Sequence, residues 1–202
     1  DKGFKFEHNG KPFNVGNLTG LIKQSSNGKA YGSNQNEIGQ YGSGFLSTHV
    51  YGKKIYINAS LTTDDGKIKK LDNFLIDREG SELSILIRKI QDQDEFAEKI
   101  CDNEGYEIEN HLEFTGFEYI ESEESKVYIE NMFNYIHSIL PCIFAFNNKL
   151  YKVEISNGQV FTYIRNKIND CKLDLSVNGE PLSFSFVSND ADNLKIILPQ
   201  KG

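Results

Sequence analysis

The run Gly39-Gln40-Tyr41-Gly42-Ser43-Gly44 holds the most explicit chemistry in the chain. Its GxxGxG glycines let backbone N–H groups approach an anion with no Cβ in the way, and an apolar segment of helical length, Phe45 to Val50, follows at once. A helix that starts at the last glycine aims its positive end at the same point, so the segment reads as a phosphate cradle. The dinucleotide fingerprint has the opposite spacing, GxGxxG, on a tight strand-to-helix turn. Here the polar, glycine-containing stretch Gln24 to Glu37 comes first, too poor in apolar groups to pack and long for a simple connection, as lids and binding loops are. A Rossmann turn is therefore not expected.

Other side chains carry weaker chemistry. His8-Asn9-Gly10-Lys11-Pro12 reads as a turn, and Gly80-Ser81 stands just before an apolar run. No Ser or Cys nucleophile with a partner carboxylate is signalled near His49, which reads as a packed or capping residue. His111 and His137 read as structural. The acidic runs Gln91 to Glu98 and Glu118 to Glu124 lack a D-x-D-x-D-G loop and read as solvated helix starts, not metal sites.

The elements that must position these groups follow from periodicity. Phe4 and Phe6 alternate with Lys5 and Glu7, a half-buried strand. A short helix follows, capped by Asn14 or Asn17, with Leu18, Leu21 and Ile22 as its buried stripe. Lys54 to Leu61 and Lys67 to Ile76 are strands joined through Asp65-Gly66, a strong hairpin signal. Leu83, Ile85 and Ile87 alternate, so Ser81 to Ile90 is expected to be a strand, and Gln91 to Asn103 a short acidic helix with Phe96, Ala97 and Ile100 on one face. Leu112 to Ile120 reads as a strand, and Ser122 caps a helix whose stripe, Tyr128, Met132, Tyr135, Ile136 and Ile139, is expected in the core. Pro141 is expected to stop that helix. Strands are expected at Cys142 to Phe146, with Cys142 buried and inert, at Leu150 to Ser156, Val160 to Arg165 and around Leu182 to Val187, and Leu194 to Leu198 closes the chain. Without internal repeats or low-complexity tracts, this order places the protein in the α+β class.

Composition excludes several functions. The chain has 202 residues, 38% of them hydrophobic, enough for one large domain or two small ones and too apolar for a disordered or collagen-like chain. A formal net charge of -7 argues against nucleic acid as the main partner, because phosphate neutralisation needs a basic surface. Cys101, Cys142 and Cys171 are odd in number and form no C-x-x-C pair, so neither a disulfide framework nor a zinc knuckle is indicated, and a reducing, cytoplasmic setting is expected. No segment nears the roughly twenty apolar residues of a membrane span, and the first residues lack a signal-peptide pattern, so no membrane partner is expected. The chain enters its first strand almost at once, which suggests a fragment of something longer.

Ile38-Gly39-Gln40-Tyr41-Gly42-Ser43-Gly44-Phe45 resembles the ATP-lid motif of the superfamily uniting DNA gyrase, the ninety-kilodalton heat-shock chaperone, histidine kinases and mismatch-repair ATPases. Upstream, Phe6-Glu7-His8-Asn9-Gly10-Lys11-Pro12-Phe13 resembles the first nucleotide-contacting turn of the branch containing sacsin and its bacterial relatives. Downstream, Gly80-Ser81 is similar to the Gly-Thr pair that closes the adenine pocket. The three motifs stand in the superfamily's order over roughly the first ninety residues.

The resemblance implies a Bergerat-type two-layer α/β sandwich, a mixed sheet under helices, in residues 1–108, followed by a smaller transducer-like α/β region in 109–202 that need not be whole. It implies ATP with Mg2+ as ligand. Gly39, Gln40, Tyr41, Gly42, Ser43 and Gly44 would supply backbone donors to the phosphates, and Phe45 would pack near the adenine. His8, Asn9 and Gly10 would form the pocket floor, with His8 in the place of an adenine-reading Asp, and Ser81 would offer a hydroxyl. Lys23, Ser25 and Ser26 stand where the chaperone has a similar stretch, and Lys149, Lys152 and Lys167 are candidates for the lysine that the transducer sends to the γ-phosphate. The superfamily's helix bearing the general-base Glu and the magnesium-holding Asn has no counterpart in these residues, so catalytic residues are unassigned and weak binding with little hydrolysis is expected of this chain alone. The implied function is an ATP-binding module whose lid closure drives a conformational change or dimerisation. The rival is a degenerate, non-catalytic scaffold with a vestigial pocket that binds another protein.

Overall fold

In the computed structural model, residues 3–23, 45, 47–147, 149–168, 172–188 and 195–199 are described. The chain forms two compact units, Asp1–Ile129 and Glu130–Gly202. It is α+β, with a mixed sheet in the first unit and an antiparallel sheet in the second.

The first unit is built on β3, Lys54–Thr62. Its Ile55, Ile57, Ala59 and Leu61 are all fully buried, the period of two that a strand requires on its core face. One edge of β3 carries β4, Ile68–Asp77, antiparallel across the Asp65-Gly66 turn, where Gly66 has φ +83°. The other edge is shared. β5, Thr115–Ile120, pairs antiparallel with Ile55 to Asn58, while β2, Phe13–Asn14, pairs parallel with Leu61 and Thr62. β1, Gly3–His8, completes the sheet against β5, with His8 opposite Thr115.

Helix α1, Val15–Lys23, starts where expected, and Asn14 and Asn17 both take part. Asn14 Oδ1 accepts the Asn17 N–H at 2.7 Å and Asn17 Oδ1 accepts the Asn14 N–H at 3.2 Å, a reciprocal cap that satisfies donors the helix itself leaves free. Leu18 and Ile22 then enter the core with Leu71, Phe74 and Ile76 of β4, each such side chain stabilising the fold by roughly 2 kcal/mol.

The expected strand from Ser81 to Ile90 is instead the start of a twenty-residue helix, α2, Leu83–Asp102. Leu83, Ile85 and Ile87, whose alternation mimics a strand, are exposed, at 71%, 43% and 47%. The buried positions are Gln93, Ala97 and Ile100, with Ile90 packed against the same core, and their spacing is helical. Gly80-Ser81 thus precedes a helix, not a strand.

Helix α3, Lys126–Phe146, begins at a second reciprocal cap: Ser122 Oγ accepts the Ser125 N–H at 3.2 Å and Ser125 Oγ accepts the Ser122 N–H at 2.8 Å. It runs through Pro141, so the expected stop and the expected strand from Cys142 to Phe146 are both corrected. Leu140, Phe144 and Ala145 continue one buried helical face across the proline, and their burial outweighs the lost N–H. Cys142 is exposed, not buried. Of the stripe expected in the core, Tyr128, Tyr135 and Ile139 lie on the exposed side.

The second unit is a meander in sequence order: β6 (Lys152–Asn157), β7 (Gln159–Ile168), β8 (Lys172–Val177), β9 (Glu180–Ser188) and β10 (Lys195–Pro199). β8 is an addition to the sequence reading. Leu173 and Leu175 alternate into the core, and Asn178-Gly179, at φ +52° and +90°, turns the chain into β9 as an Asn-Gly hairpin should. No helix among the described residues is long and apolar enough to cross a membrane.

Candidate functional site

The turn after β1 is held by its own histidine. The Gly10 N–H donates to His8 Nδ1 at 3.0 Å, so the imidazole proton resides on Nε2. A Cβ at residue 10 would lie 2.9 Å from that same Nδ1, which is why glycine stands there. Burial lowers the His8 pKa and keeps the ring neutral. Its Nε2–H is a donor, where the carboxylate expected from the resemblance would be an acceptor.

Phe117, on β5, gathers the rings. The His8 ring lies 6.1 Å from it at an interplanar angle of 29°, and Phe6, Phe13 and Phe45 lie 6.2, 6.1 and 6.2 Å away. β1, β2 and the residue after the glycine run therefore meet on one side chain, in the offset and edge geometries that aromatic pairs prefer. Phe45 is anchored further. The Tyr119 hydroxyl donates to Thr48 Oγ1 at 2.9 Å, and Thr48 Oγ1 donates to the Phe45 carbonyl at 2.7 Å.

Of the residues singled out from the sequence, His8 and Phe45 are brought together, with Asn9 and Gly10 in the exposed turn next to His8. Ser81 is exposed on the turn before α2, where Gly80 has φ +139°. Gly39, Gln40, Tyr41, Gly42, Ser43 and Gly44 lie outside the described residues, as do Ser25 and Ser26. Lys23 pairs with Asp94 at 2.7 Å, and Lys152 with Glu154 at 3.2 Å. Among the described residues no three His, Cys, Asp or Glu side chains converge as metal ligands.

No family model, curated protein or solved structure matches the chain. The chemistry of the site is accordingly argued from its own residues.

Sequence reasoning passed over Arg78. It stands just beyond β4 and reaches both α1 and α2: Nη1 donates to Gln93 Oε1 of α2 at 2.9 Å, and Nη2 donates to the Ile22 carbonyl of α1. Burial lowers its pKa, and the neighbouring Asp77 charge works the other way. Its charge in turn adds to burial in lowering the pKa of His49, whose ring meets Phe45 edge-on at 5.4 Å. The available signal was an Arg beside an Asp at the end of an apolar strand, a place where a long cation can be drawn inward by helix carbonyls. In the second unit His137 Nδ1 and the Tyr163 hydroxyl are 2.6 Å apart, and the His137 ring packs edge-on against Phe161, a structural pairing that satisfies a buried hydroxyl.

Proposed function

We propose that the first unit is the ATP-binding module of a sacsin-like ATPase with a Bergerat-type fold, in which nucleotide-driven lid closure changes conformation. One observation carries the reading: His8, from the turn His8-Asn9-Gly10, and Phe45, which directly follows the GxxGxG run, pack on the same ring of Phe117. Two motifs 29 to 36 residues apart in the superfamily's order share one wall. In this reading Asn9 and Gly10 belong to the floor of the base pocket, Ser81 offers a hydroxyl, and the Gly39 to Gly44 amides bind phosphate oxygens as Mg2+ shields their charge. The chaperone-like assignment rests on the resemblance alone, and the cytoplasmic one on the spacing of Cys101, Cys142 and Cys171.

The His8 Nε2–H bears on the choice of base. A donor in the place of a carboxylate favours a base edge that accepts. Calorimetry with ATP, ADP and GTP, each with Mg2+, on the native-length gene product tests the reading. Saturable binding that Gly42→Asp abolishes is expected, because a carboxylate among the amides repels phosphate. No heat with any of the three nucleotides would count against nucleotide binding. That outcome would favour the second reading, a non-catalytic scaffold, to which the packing of His8, Phe13 and Phe45 each against Phe117 also lends support.

A further inference from the structure

Helix α3 has a second apolar row, on the side away from its core contacts. Leu140, Phe144 and Ala145 are buried under the meander. Met132, Tyr135, Ile139, Cys142 and Phe146 instead recur at steps of three, four, three and four, with Tyr128 one four-residue step before them. Tyr135 is 68% exposed, Phe146 51% and Ile139 40%; Cys142 is exposed as well, and Met132 is partly exposed. Pro141 lies on the buried side, away from this row.

Two features set the row apart from an ordinary solvent face. From Asn131 to Phe146 the helix has no Asp, Glu, Lys or Arg, although 25% of the chain is charged. A helix that is apolar on all sides is normally a buried one, because charged and polar residues otherwise collect on the side facing water. The alternation of three- and four-residue steps is also that of a seam whose side chains fit between those of a second helix.

The same helix of a second copy fits this seam. The residues flanking it, Asn131 and Ser138 on one side and Ile136 and Ile143 on the other, carry no charge. Two identical rows therefore meet without like-charge repulsion, while a helix that selects a foreign partner does so through charges at these flanks. The net charge of -7 opposes adsorption to an anionic membrane surface. The area also suffices. With whole aromatic side chains presenting about 150–250 Å², the exposed parts of Tyr128, Tyr135, Ile139, Ile143 and Phe146 come to roughly 600 Å². A specific two-chain interface starts at about 600 Å² per partner, and a two-fold axis lets one patch serve both sides.

We infer that this row is a homodimer interface, α3 packing on α3 of a second copy about a two-fold axis. The contact uses neither the glycine run nor the His8 turn, and it requires no nucleotide.

Sedimentation equilibrium of the full chain without nucleotide is the test. A reversible monomer–dimer equilibrium is expected, with a Kd of about 10–100 µM. Tyr135→Glu, at a position too exposed to support the fold, should weaken the dimer about tenfold or more, because it places an unpaired charge in the seam, while circular dichroism stays native. Cys142 reports the location. Its alkylation by N-ethylmaleimide, followed by mass spectrometry of its peptide, should slow about threefold or more between about 1 µM and 500 µM protein, with Cys101 as internal reference and no slowing in Tyr135→Glu. The dimer should persist in Gly42→Asp, so failure here and failure of nucleotide binding are read separately. A chain that stays monomeric at about 500 µM, a dimer that survives Tyr135→Glu, or Cys142 alkylation indifferent to concentration overturns the proposal. A monomer that binds phosphatidylcholine vesicles, and loses them in Tyr135→Glu, overturns it in favour of a membrane surface.

Discussion

At the scale of the residue, two histidines set how the first unit responds to acid. His8 and His49 are both lowered from the ordinary value of 6.5, by burial in each case and for His49 by the Arg78 charge as well. The unfolded chain therefore binds protons that the folded chain refuses. Their effect on stability is absent above about pH 6.5 and grows as pH falls below it, down to the folded pKa values. The thermal unfolding midpoint is expected to drop between pH 7 and pH 5.5, and in His49→Gln the drop should be smaller. A separate loss belongs to more acid solution. At Asp77 burial opposes ionisation, but the Lys89 hydrogen bond, the Glu79 N–H and the Lys89 and Lys54 charges together hold its pKa below 3.8, so the stability it contributes disappears as pH falls through and below that value. Equal acid sensitivity in His49→Gln and the parent would show that His49 is not the responsible group.

At the scale of the element, α3 carries the sharpest conflict between propensity and packing. Pro141 cannot donate to the carbonyl one turn back, and its ring crowds that carbonyl. In an ordinary helix interior Ala is about 3 kcal/mol better than Pro. Pro141 is itself buried between Leu140 and Phe144, so replacing its ring forfeits part of that gain. Pro141→Ala should raise the urea midpoint, by a net of about 1–2 kcal/mol. A fall instead would mean that the backbone geometry at Pro141 seats Leu140 and Phe144. The same helix also shows what period alone leaves open. Tyr128, Tyr135 and Ile139 recur as regularly as the buried set, because α3 is apolar around much of its circumference, and only the strands packed against it choose a face.

At the scale of the whole molecule, each unit has a core of its own. Ile57 is fully buried in the first and Leu175 in the second. Truncating either to Ala should cost about 2–5 kcal/mol, and the loss should stay local. In native-state hydrogen exchange, Leu175→Ala is expected to lower protection in β6 to β9 and leave β3 and β4 as they are, with Ile57→Ala doing the reverse. Joint loss of protection in both units from either change would show one cooperative body.

What the sequence determined by itself is local. The Asp65-Gly66 turn, the cap at Asn14 and the alternation along β3 are legible because a positive φ, a free helix N–H or a period of two restricts residue type within a few positions. Leu83, Ile85 and Ile87 show the limit: a short alternating run fits a strand, and the choice fell to the burial of Gln93, Ala97 and Ile100 further along. His8 and Phe45 could each be named from their motifs, but their meeting on Phe117 depends on β5 entering the sheet between β1 and β3. The inward reach of Arg78 had only a faint local signature, an Arg beside an Asp at the end of an apolar strand. Only tertiary structure placed its guanidinium against oxygens of α1 and α2, because desolvation is set by what surrounds a group in space, not by its neighbours in the chain.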